Sequence, residues 1–234
     1  MSSGLDIFST ETLTTRHHQL GQDGKDGKTF LVKLKKKYMG EYSGNEITLK
    51  RGHPVAVKIF KKQKSVAKIL KEAEYQNLCT GISPRIYGVN TSEKYIAMEA
   101  LDSLPAQMYK NNTLPENIQY MICALMKRLD NVAVLHGDMN ALNVMLDTNG
   151  RPYMIDFGFA KKINNKILKK HGNNPNFTVS LWGLVRGFKR YKVQCDIMSD
   201  CMEAARAGED IDTFVARGET LMEEFKRPSK KRKR

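Results

Sequence analysis

The segment from His136 to Gly158 restricts the fold of this 234-residue chain more than any other feature. Asp138 is followed five positions later by Asn143, and a second aspartate, Asp156, comes thirteen positions after that asparagine. Between Asn143 and Asp156, apolar runs lie on either side of the turn-forming residues Thr148–Gly150. This pattern predicts two short strands joined by a tight turn, with carboxylate and amide side chains at the ends of the pair.

The same segment resembles the catalytic and metal-binding loops of protein kinases, in which H-x-D-x-x-x-x-N is followed by D-F-G. The resemblance implies ATP and Mg²⁺ as cofactors, because phosphoryl transfer needs oxygen ligands that hold Mg²⁺ against the phosphates. It implies that Asn143 and Asp156 bind Mg²⁺ and that Asp138 orients and deprotonates the acceptor hydroxyl. It also implies that His136 braces the loop and that Gly158 gives the backbone freedom after the metal ligand.

A second resemblance lies upstream, where the strand-like segment V-A-V-K ends at Lys58. In protein kinases the lysine of this strand holds the α- and β-phosphates of ATP. The predicted helix Ser65–Leu78 follows and carries two carboxylates that can pair with the lysine, Glu72 and Glu74. Glu74 precedes Pro84 by ten residues, near the typical kinase spacing, so we expect the pair Lys58–Glu74, with Lys58–Glu72 as the alternative.

Two further parts of a nucleotide site are implied by the resemblance. Glycines occur at Gly21, Gly24 and Gly27, although the kinase pattern G-x-G-x-x-G has a closer spacing at its start. Such glycines let backbone N–H groups approach phosphate oxygens, and the alternative is a flexible hairpin turn. Met98 is expected at the back of the nucleotide pocket, and Glu99 to Leu101 as the hinge whose backbone binds adenine.

The sequence departs from the protein-kinase pattern at several positions. Gly137 replaces the usual arginine of H-R-D, Asn140 replaces a common lysine, and Ser180 replaces an aspartate two residues before Trp182. In many kinases that arginine pairs with a phosphate on the activation segment, so control by such phosphorylation is not expected here. No A-P-E motif follows, and Trp182 comes only 26 residues after Asp156, so the activation segment is short. These features resemble minimal, atypical kinases: the Rio kinases, the kinase of the KEOPS complex, bacterial effector kinases and kinases of large DNA viruses. A virus-encoded kinase is one reading of this resemblance.

The distribution of apolar residues predicts an α+β fold. Strands are expected first, with one helix among them, and helices after Leu101, which implies a two-lobed, protein-kinase-like fold with a small β-rich N-lobe and a reduced helical C-lobe. The segment from Phe159 to Asn176 is polar and is expected to be irregular. The predicted division is an N-terminal extension (1–15), an N-lobe (16–101), a C-lobe (102–225) and a basic tail (226–234).

Charge adds information about partners and location. The formal net charge is +14, and seven positive charges stand in the last nine residues. Such a run resembles a nuclear localisation signal, or a patch that binds nucleic acid or another acidic partner. The N-terminus lacks the pattern of a secretory signal, and no apolar run reaches the roughly 20 residues of a membrane-spanning helix. The sequence predicts an intracellular protein with a nuclear-type tail and no membrane partner, and leaves its oligomeric state open.

Three functions fit these observations. The first is a Ser/Thr protein kinase that acts on a protein substrate. The second is a small-molecule kinase of the aminoglycoside or choline phosphotransferase type, which also uses an HGD loop but is disfavoured by the complete D-F-G. The third is a non-catalytic, kinase-fold binding module for nucleic acid or an acidic partner, whose binding of nucleic acid would depend steeply on salt.

Overall fold

The computed structural model describes residues 18–20, 24, 26–103 and 112–226. These residues form two compact units: the first comprises the chain up to Leu101 together with Asp156–Gly158, and the second comprises residues 102–155 and the chain from Phe159 onward. The predicted N-terminal extension, Gly21 and residues 227–234 of the predicted tail lie outside the described residues.

The first unit is built on antiparallel strands. They are β1 (His18–Leu20), β2 (Gly27–Lys33), β3 (Tyr38–Tyr42), β4 (Asn45–Leu49), β5 (Pro54–Phe60), β6 (Ile86–Asn90) and β7 (Tyr95–Glu99). Five of them form one sheet with the order β1-β2-β5-β7-β6. The other two form a separate hairpin, β3-β4, which follows β2.

Strand β5 is covered on both faces, which explains why its sequence is an almost continuous apolar run. Val55 and Val57 belong to a core cluster that includes Ile47 of the β3-β4 hairpin. Ala56 belongs to a second cluster with Ile69 of the helix that follows β5. Because successive side chains of a strand point to opposite faces, a run of this kind buries both sets.

Helix α1 (Val66–Leu78) lies in the first unit and was predicted from its sequence. Ser65 caps its N-terminus by accepting a hydrogen bond from the backbone N–H of Lys68 at 3.4 Å. Its buried residues are spaced at i, i+3, i+4 and i+7, which defines one helix face. They are Ile69, Glu72, Ala73 and Gln76.

The second unit is mainly helical. Its elements are β8 (Asp102–Ser103), α2 (Glu116–Asn131), β9 (Val134–Leu135), β10 (Val144–Leu146), β11 (Pro152–Met154), β12 (Lys161–Lys162), α3 (Asn165–His171), α4 (Trp182–Arg190), α5 (Asp196–Ala207) and α6 (Asp212–Lys226). The short strands pair as β11-β10-β8 and as β12-β9. A π-helical segment, Asn176–Leu181, runs directly into α4.

Helix α2 forms the centre of this unit and packs against α6 and α5. Its sequence predicted the buried face, since apolar side chains recur at helical spacing. The predicted residues are all buried: Ile118, Met121, Ile122, Leu125, Met126 and Leu129.

The prediction that residues 159–176 are irregular is wrong. This stretch contains β12, which pairs with β9, and the short helix α3. The side chain of Asn164 caps α3 by accepting a hydrogen bond from Ile167 N at 3.1 Å, and Gly172 ends it with a φ of 79°. The helix has no buried residue, which explains why its sequence shows no apolar face.

The predicted fold class is confirmed: an antiparallel sheet with one helix forms the N-terminal part, and helices form most of the C-terminal part. No helix among the described residues has the length and apolar character to cross a membrane.

Candidate active site

The first unit contains a partly buried lysine between two carboxylates. The Nζ atom of Lys58 lies 2.5 Å from Oε1 of Glu72 and 3.0 Å from Oδ1 of Asp156. The side chain of Glu72 is only 1% exposed, whereas that of Asp156 is 39% exposed. Although burial lowers the pKa of Lys58, the charges and hydrogen bonds of Glu72 and Asp156 outweigh it and raise that pKa above its ordinary value. The lysine is therefore a fixed cation at neutral pH.

The structure overturns the expected pair Lys58–Glu74. Glu74 is exposed, and the carboxylate that contacts Lys58 is Glu72. The reason is the helical period: Glu72 shares the buried face of α1 with Ile69 and Gln76, and Glu74 is rotated away from it. The spacing between Glu74 and Pro84, on which the prediction rested, does not say which face of the helix Glu74 occupies.

A second lysine, Lys64, joins this network and was not predicted. Its Nζ atom lies 2.5 Å from Oδ2 of Asp26 and 3.5 Å from Oε2 of Glu72. Asp26 immediately precedes β2, and its carbonyl oxygen accepts a hydrogen bond from Lys61 N at 2.9 Å. Lys64 thus ties the segment before β2 to the buried carboxylate. The only sequence signal was a cluster of lysines, which resembles ordinary surface charge.

The backbone at Asp156 has an unusual conformation, and Gly158 lies close to the side chain of Glu72. Asp156 has a φ of 65°, in the left-handed region that L residues rarely occupy. A Cβ atom on Gly158 would lie 3.1 Å from Oε2 of Glu72. A side chain at position 158 would therefore crowd the Glu72 carboxylate, a contact that the sequence did not suggest.

In the second unit, the segment that carries Asp138 is closed by Asn143. The Nδ2 atom of Asn143 donates to the carbonyl oxygen of Asp138 at 2.7 Å, and its backbone N–H donates to Asn140 O at 3.0 Å. The carbonyl oxygen of Asn143 accepts a hydrogen bond from Ile155 N at 3.0 Å, one residue before Asp156 in the chain. Asn143 therefore joins the two motifs through its own backbone.

Asn143 and Asp156 each carry oxygen atoms of the kind that Mg²⁺ prefers. In the second unit, the amide nitrogen of Asn143 donates to Asp138 O. In the first unit, the carboxylate of Asp156 is 39% exposed and lies beside Lys58. No cluster of three or more His, Cys, Asp or Glu residues suited to a metal occurs in the described part of the chain. Binding of Mg²⁺ by Asn143 and Asp156 stays a prediction from the sequence.

His136 has the surroundings of a structural residue. It is fully buried, and its Nε2 atom lies 3.0 Å from the carbonyl oxygen of Ile155. This contact links the residue before Gly137 to the residue before Asp156. The expectation that His136 braces the loop agrees with this environment.

Gly137 is required by the backbone. Its φ is 82°, and a Cβ atom at this position would lie 2.4 Å from the carbonyl oxygen of Phe159. No L residue fits such a position without local rearrangement. The departure from the H-R-D arginine thus has a structural cause: the chain after D-F-G passes directly against this residue.

Asn140, which replaces a lysine that is common in protein kinases, forms hydrogen bonds within the same loop. Its side-chain oxygen accepts from Leu142 N at 2.9 Å and its Nδ2 atom donates to Asp138 O at 3.3 Å. These bonds start the short 3₁₀ turn Ala141–Asn143. Asn140 therefore helps to shape the loop around Asp138, a role that the sequence did not suggest.

The sequence did not predict the role of a buried asparagine, Asn176, which is hydrogen-bonded to the residues before Asp138. The Nδ2 atom of Asn176 donates to Val134 O at 2.8 Å and to Oδ1 of Asp130 at 2.7 Å. Its Oδ1 atom accepts from His136 N at 3.4 Å and from Oγ of Ser180 at 2.8 Å. Asn176 is fully buried at the start of the π-helical segment. No local motif marks it, because its partners Asp130, Val134 and His136 lie 40 to 46 residues earlier in the chain.

Asp130 is the charged member of this group. Burial raises the pKa of its carboxyl group from 3.8 to about 6, against the opposing effect of the Asn176 hydrogen bonds and of Lys127. Asn176 N also donates to Oδ1 of Asp130 at 3.0 Å.

The remaining predicted nucleotide residues that the structure describes lie in the first unit. Gly24 N donates to Gly27 O at 3.0 Å, and a Cβ atom on Gly27 would lie 2.1 Å from Ile59 O, so close strand packing requires this glycine. Met98 is buried, and Gln76 Nε2 contacts its sulfur atom at 3.5 Å. Glu99 ends β7, and its backbone N–H donates to Arg85 O at 2.8 Å. Leu101 is buried at the last position before the second unit.

Comparison with known proteins agrees with this geometry. Residues 20–170 match the RIO domain. The chain is also 29% identical, over 173 residues, to a probable serine/threonine-protein kinase of Dictyostelium discoideum. That alignment covers 61% of this chain and 35% of the relative, so the chain spans about a third of that protein's length.

Proposed function

Because this chain belongs to the RIO domain family, an atypical family within the protein-kinase-like superfamily, we propose that it transfers the γ-phosphate of ATP to a serine or threonine hydroxyl of a protein. The observation that carries the proposal is the position of Lys58, whose side chain is 13% exposed, between Glu72 and Asp156. Removing a lysine and two carboxylates from water costs desolvation free energy, and such arrangements are therefore typical of functional sites. In this family the lysine of such a site binds phosphate.

In this proposal each polar group has one task. Lys58 holds the phosphates of ATP, and Glu72 keeps its ammonium group charged and in place. Asn143 and Asp156 bind Mg²⁺, which neutralises the phosphate charge that develops during transfer. Asp138 orients the acceptor hydroxyl and accepts its proton.

The hydrogen bonds of β7 narrow the choice of backbone groups that can bind adenine. The N–H of Glu99 is used by Arg85 O, so adenine would have to bind the carbonyl of Glu99 and the backbone of Leu101. Met98 would lie behind the base. Backbone N–H groups around Gly21, Gly24 and Gly27 would cover the phosphates, with Lys64 and Asp26 fixing the start of β2.

The proposal also covers the regulation of the activity and the division of the chain. With Gly137 in place of the arginine that pairs with an activation-segment phosphate, we expect activity without phosphorylation of residues 159–176. The division into an extension (1–15), lobes (16–101 and 102–225) and a basic tail (226–234) is part of the proposal. The viral source and the nuclear destination remain predictions from the sequence.

The test is transfer of labelled γ-phosphate from ATP, with Mg²⁺, onto the chain itself and onto generic acidic and basic proteins. Lys58→Ala and Asp156→Ala should abolish transfer, and Asp138→Asn should reduce it by about 10²–10⁴-fold. Lys62→Ala is the matched control, because Lys62 is an exposed lysine near Lys58 and should tolerate the change. Removal of Mg²⁺ by a chelator should stop the reaction.

ATP binding, measured separately, distinguishes the alternatives. Transfer to small hydroxylated molecules but not to proteins would establish the small-molecule kinase. Binding of ATP without any transfer, or absence of both, would contradict the proposal and favour a kinase-fold binding module.

A further inference from the structure

The chain between Asp156 and Asp196 contains no acidic residue. Across these 39 positions stand seven lysines and two arginines. All nine are exposed: Lys161, Lys162, Lys166, Lys169, Lys170, Arg186, Lys189, Arg190 and Lys192. An uninterrupted run of this length is not needed for packing, since these side chains point into solvent.

Five of these cations form no ion pair with a carboxylate among the described residues: Lys161, Lys166, Arg186, Lys189 and Arg190. The ion pairs of Lys58, Lys64 and Arg128 all lie outside the run. Arg186 has a different kind of contact: its guanidinium carbon lies 5.2 Å from the ring centre of Trp182, one turn earlier on α4. Such stacking restricts the conformations of the arginine side chain.

One part of the run lies beside the start of the catalytic loop. Strand β12 pairs with β9, and Lys161 is opposite Leu135, three residues before Asp138. The carbonyl oxygen of Phe159 approaches Gly137 closely enough to exclude a side chain there. The basic strand is therefore attached to the residues that lead into Asp138.

Another part of the run lies against the other side of the same loop. Cβ atoms on Gly183 and Gly187 of α4 would lie 2.6 Å from Met139 O and 3.0 Å from Ala141 N. The two glycines let α4 contact the loop backbone just after Asp138. The exposed residues of the same helix are Trp182, Arg186, Lys189 and Arg190.

We propose that these cations form a docking surface for an acidic segment of the protein substrate, so that the acceptor hydroxyl is flanked by carboxylates. The basic surface is defined as Lys161, Lys166, Arg186, Lys189 and Arg190. Charge complementarity identifies the occupant as acidic, and attachment to both sides of the Asp138 loop identifies it as the substrate, because the acceptor must reach Asp138. The inference rests on the proposed kinase function.

Nucleic acid is the other acidic class, and the position of the surface disfavours it. A polyanion bound across the residues on either side of Asp138 would cover the place where the acceptor must bind. An acidic peptide delivers its own hydroxyl there. Each exposed ion pair contributes little, so recognition should depend on several pairs and weaken as salt is raised.

The first experiment measures binding by the full chain, independently of transfer. Fluorescence anisotropy is recorded for a labelled peptide with one serine among Glu and Asp residues, and for the same peptide with Gln and Asn. The variant Lys161→Gln/Arg186→Gln/Arg190→Gln should weaken binding of the acidic peptide about tenfold. The control Lys35→Gln/Lys36→Gln/Lys37→Gln removes equal charge from exposed lysines of the first unit and should bind as wild type.

Transfer kinetics supply a second readout. The triple variant should raise the KM for the acidic peptide about tenfold, with kcat and the KM for ATP unchanged. The reversal Lys161→Glu/Arg190→Glu should shift preference toward a lysine-flanked peptide. Such a gain cannot come from unfolding.

Four results would separate the two proposals. Selective peptide binding without any transfer would support the docking surface and contradict the kinase function. Transfer to neutral and acidic peptides with equal kcat/KM would contradict the docking surface and leave the kinase function standing. Equal losses in the two triple variants would also overturn the inference. So would binding of a single-stranded RNA oligomer that the triple variant weakens while acidic peptide is not bound.

Discussion

In the first unit a lysine is held between two carboxylates, whereas in the second unit the segment around Asp138 is held by backbone and amide hydrogen bonds. Glu72 is buried, and its carboxylate forms ion pairs with two lysines, Lys58 and Lys64. Asn143 and Asn176 carry no charge, and each donates to backbone carbonyls. Neutralising one side chain should therefore disable the first region, while the second should fail when its shape changes.

The largest effect is expected from Glu72→Ala. It leaves Lys58 with only the partly exposed Asp156 and removes a buried partner of Lys64, so we expect a loss of about 3 kcal/mol in unfolding free energy. Transfer should fall with it. Glu74→Ala removes the same group from an exposed position and should cost less than about 0.5 kcal/mol. Urea unfolding of both variants checks this, and a larger loss in Glu74→Ala would contradict the pairing.

Gly137→Ala is the corresponding test of shape in the second unit. It combines a left-handed φ with a clash against Phe159 O, and we expect a loss of about 2–3 kcal/mol. Gly44 is the matched control, since its φ is 78° and nothing lies within 4 Å of a Cβ placed there. Gly44→Ala should cost only about 1 kcal/mol. Equal losses, measured by thermal or urea unfolding, would show that crowding at Gly137 is unimportant.

Asn176→Ala should have a smaller effect. It removes donors to Val134 O and Asp130 and the acceptor for Ser180, for an expected loss of about 2 kcal/mol. Asn173→Ala, at an exposed position of the same segment, should leave the unfolding midpoint almost unchanged. A rate of phosphate transfer that falls in folded Asn176→Ala would show that the asparagine also positions the loop. Identical unfolding midpoints for the two variants would contradict a structural role.

The smallest effect is the pH dependence due to Asp130. Its pKa is raised to about 6 by burial, so in the window from about 4 to 6 the folded state binds more protons than the unfolded state. Stability should therefore fall as pH rises through this window and stay level with respect to this group above it. Asp130→Asn should flatten that part of the profile. Parallel wild-type and variant profiles from urea unfolding would contradict the shifted pKa.

The parts of the fold and site that the sequence predicted are those with local signals. The buried face of α2 follows from residues three and four positions apart, and the lysine at the end of β5 follows from an apolar strand pattern. Asn143 is joined to Asp138 over five residues. In such cases spacing along the chain determines spacing in the structure.

The missed features have two different physical causes. For Glu72 the signal was present, because Ile69, Ala73 and Gln76 define a helix face that includes it, but the spacing to Pro84 was given more weight. For Asn176 no local signal exists, since its partners are brought to it by the folding of α2 and β9. Helix α3 lacks a buried face, so only its Asn164 cap and Gly172 stop marked it.

The π-helical segment Asn176–Leu181 has a consequence for how this site can evolve. It runs without interruption into α4, so the direction of Asn176 depends on how many residues separate it from Trp182 and Arg186. Loss of one codon within the segment would rotate the preceding side chains by about 100° around the helix axis. Asn176 would then turn away from Val134 and His136 although no contacting residue had been substituted. Single-residue insertions and deletions here should be far more damaging than point mutations, and the loop support and the α4 surface are inherited together.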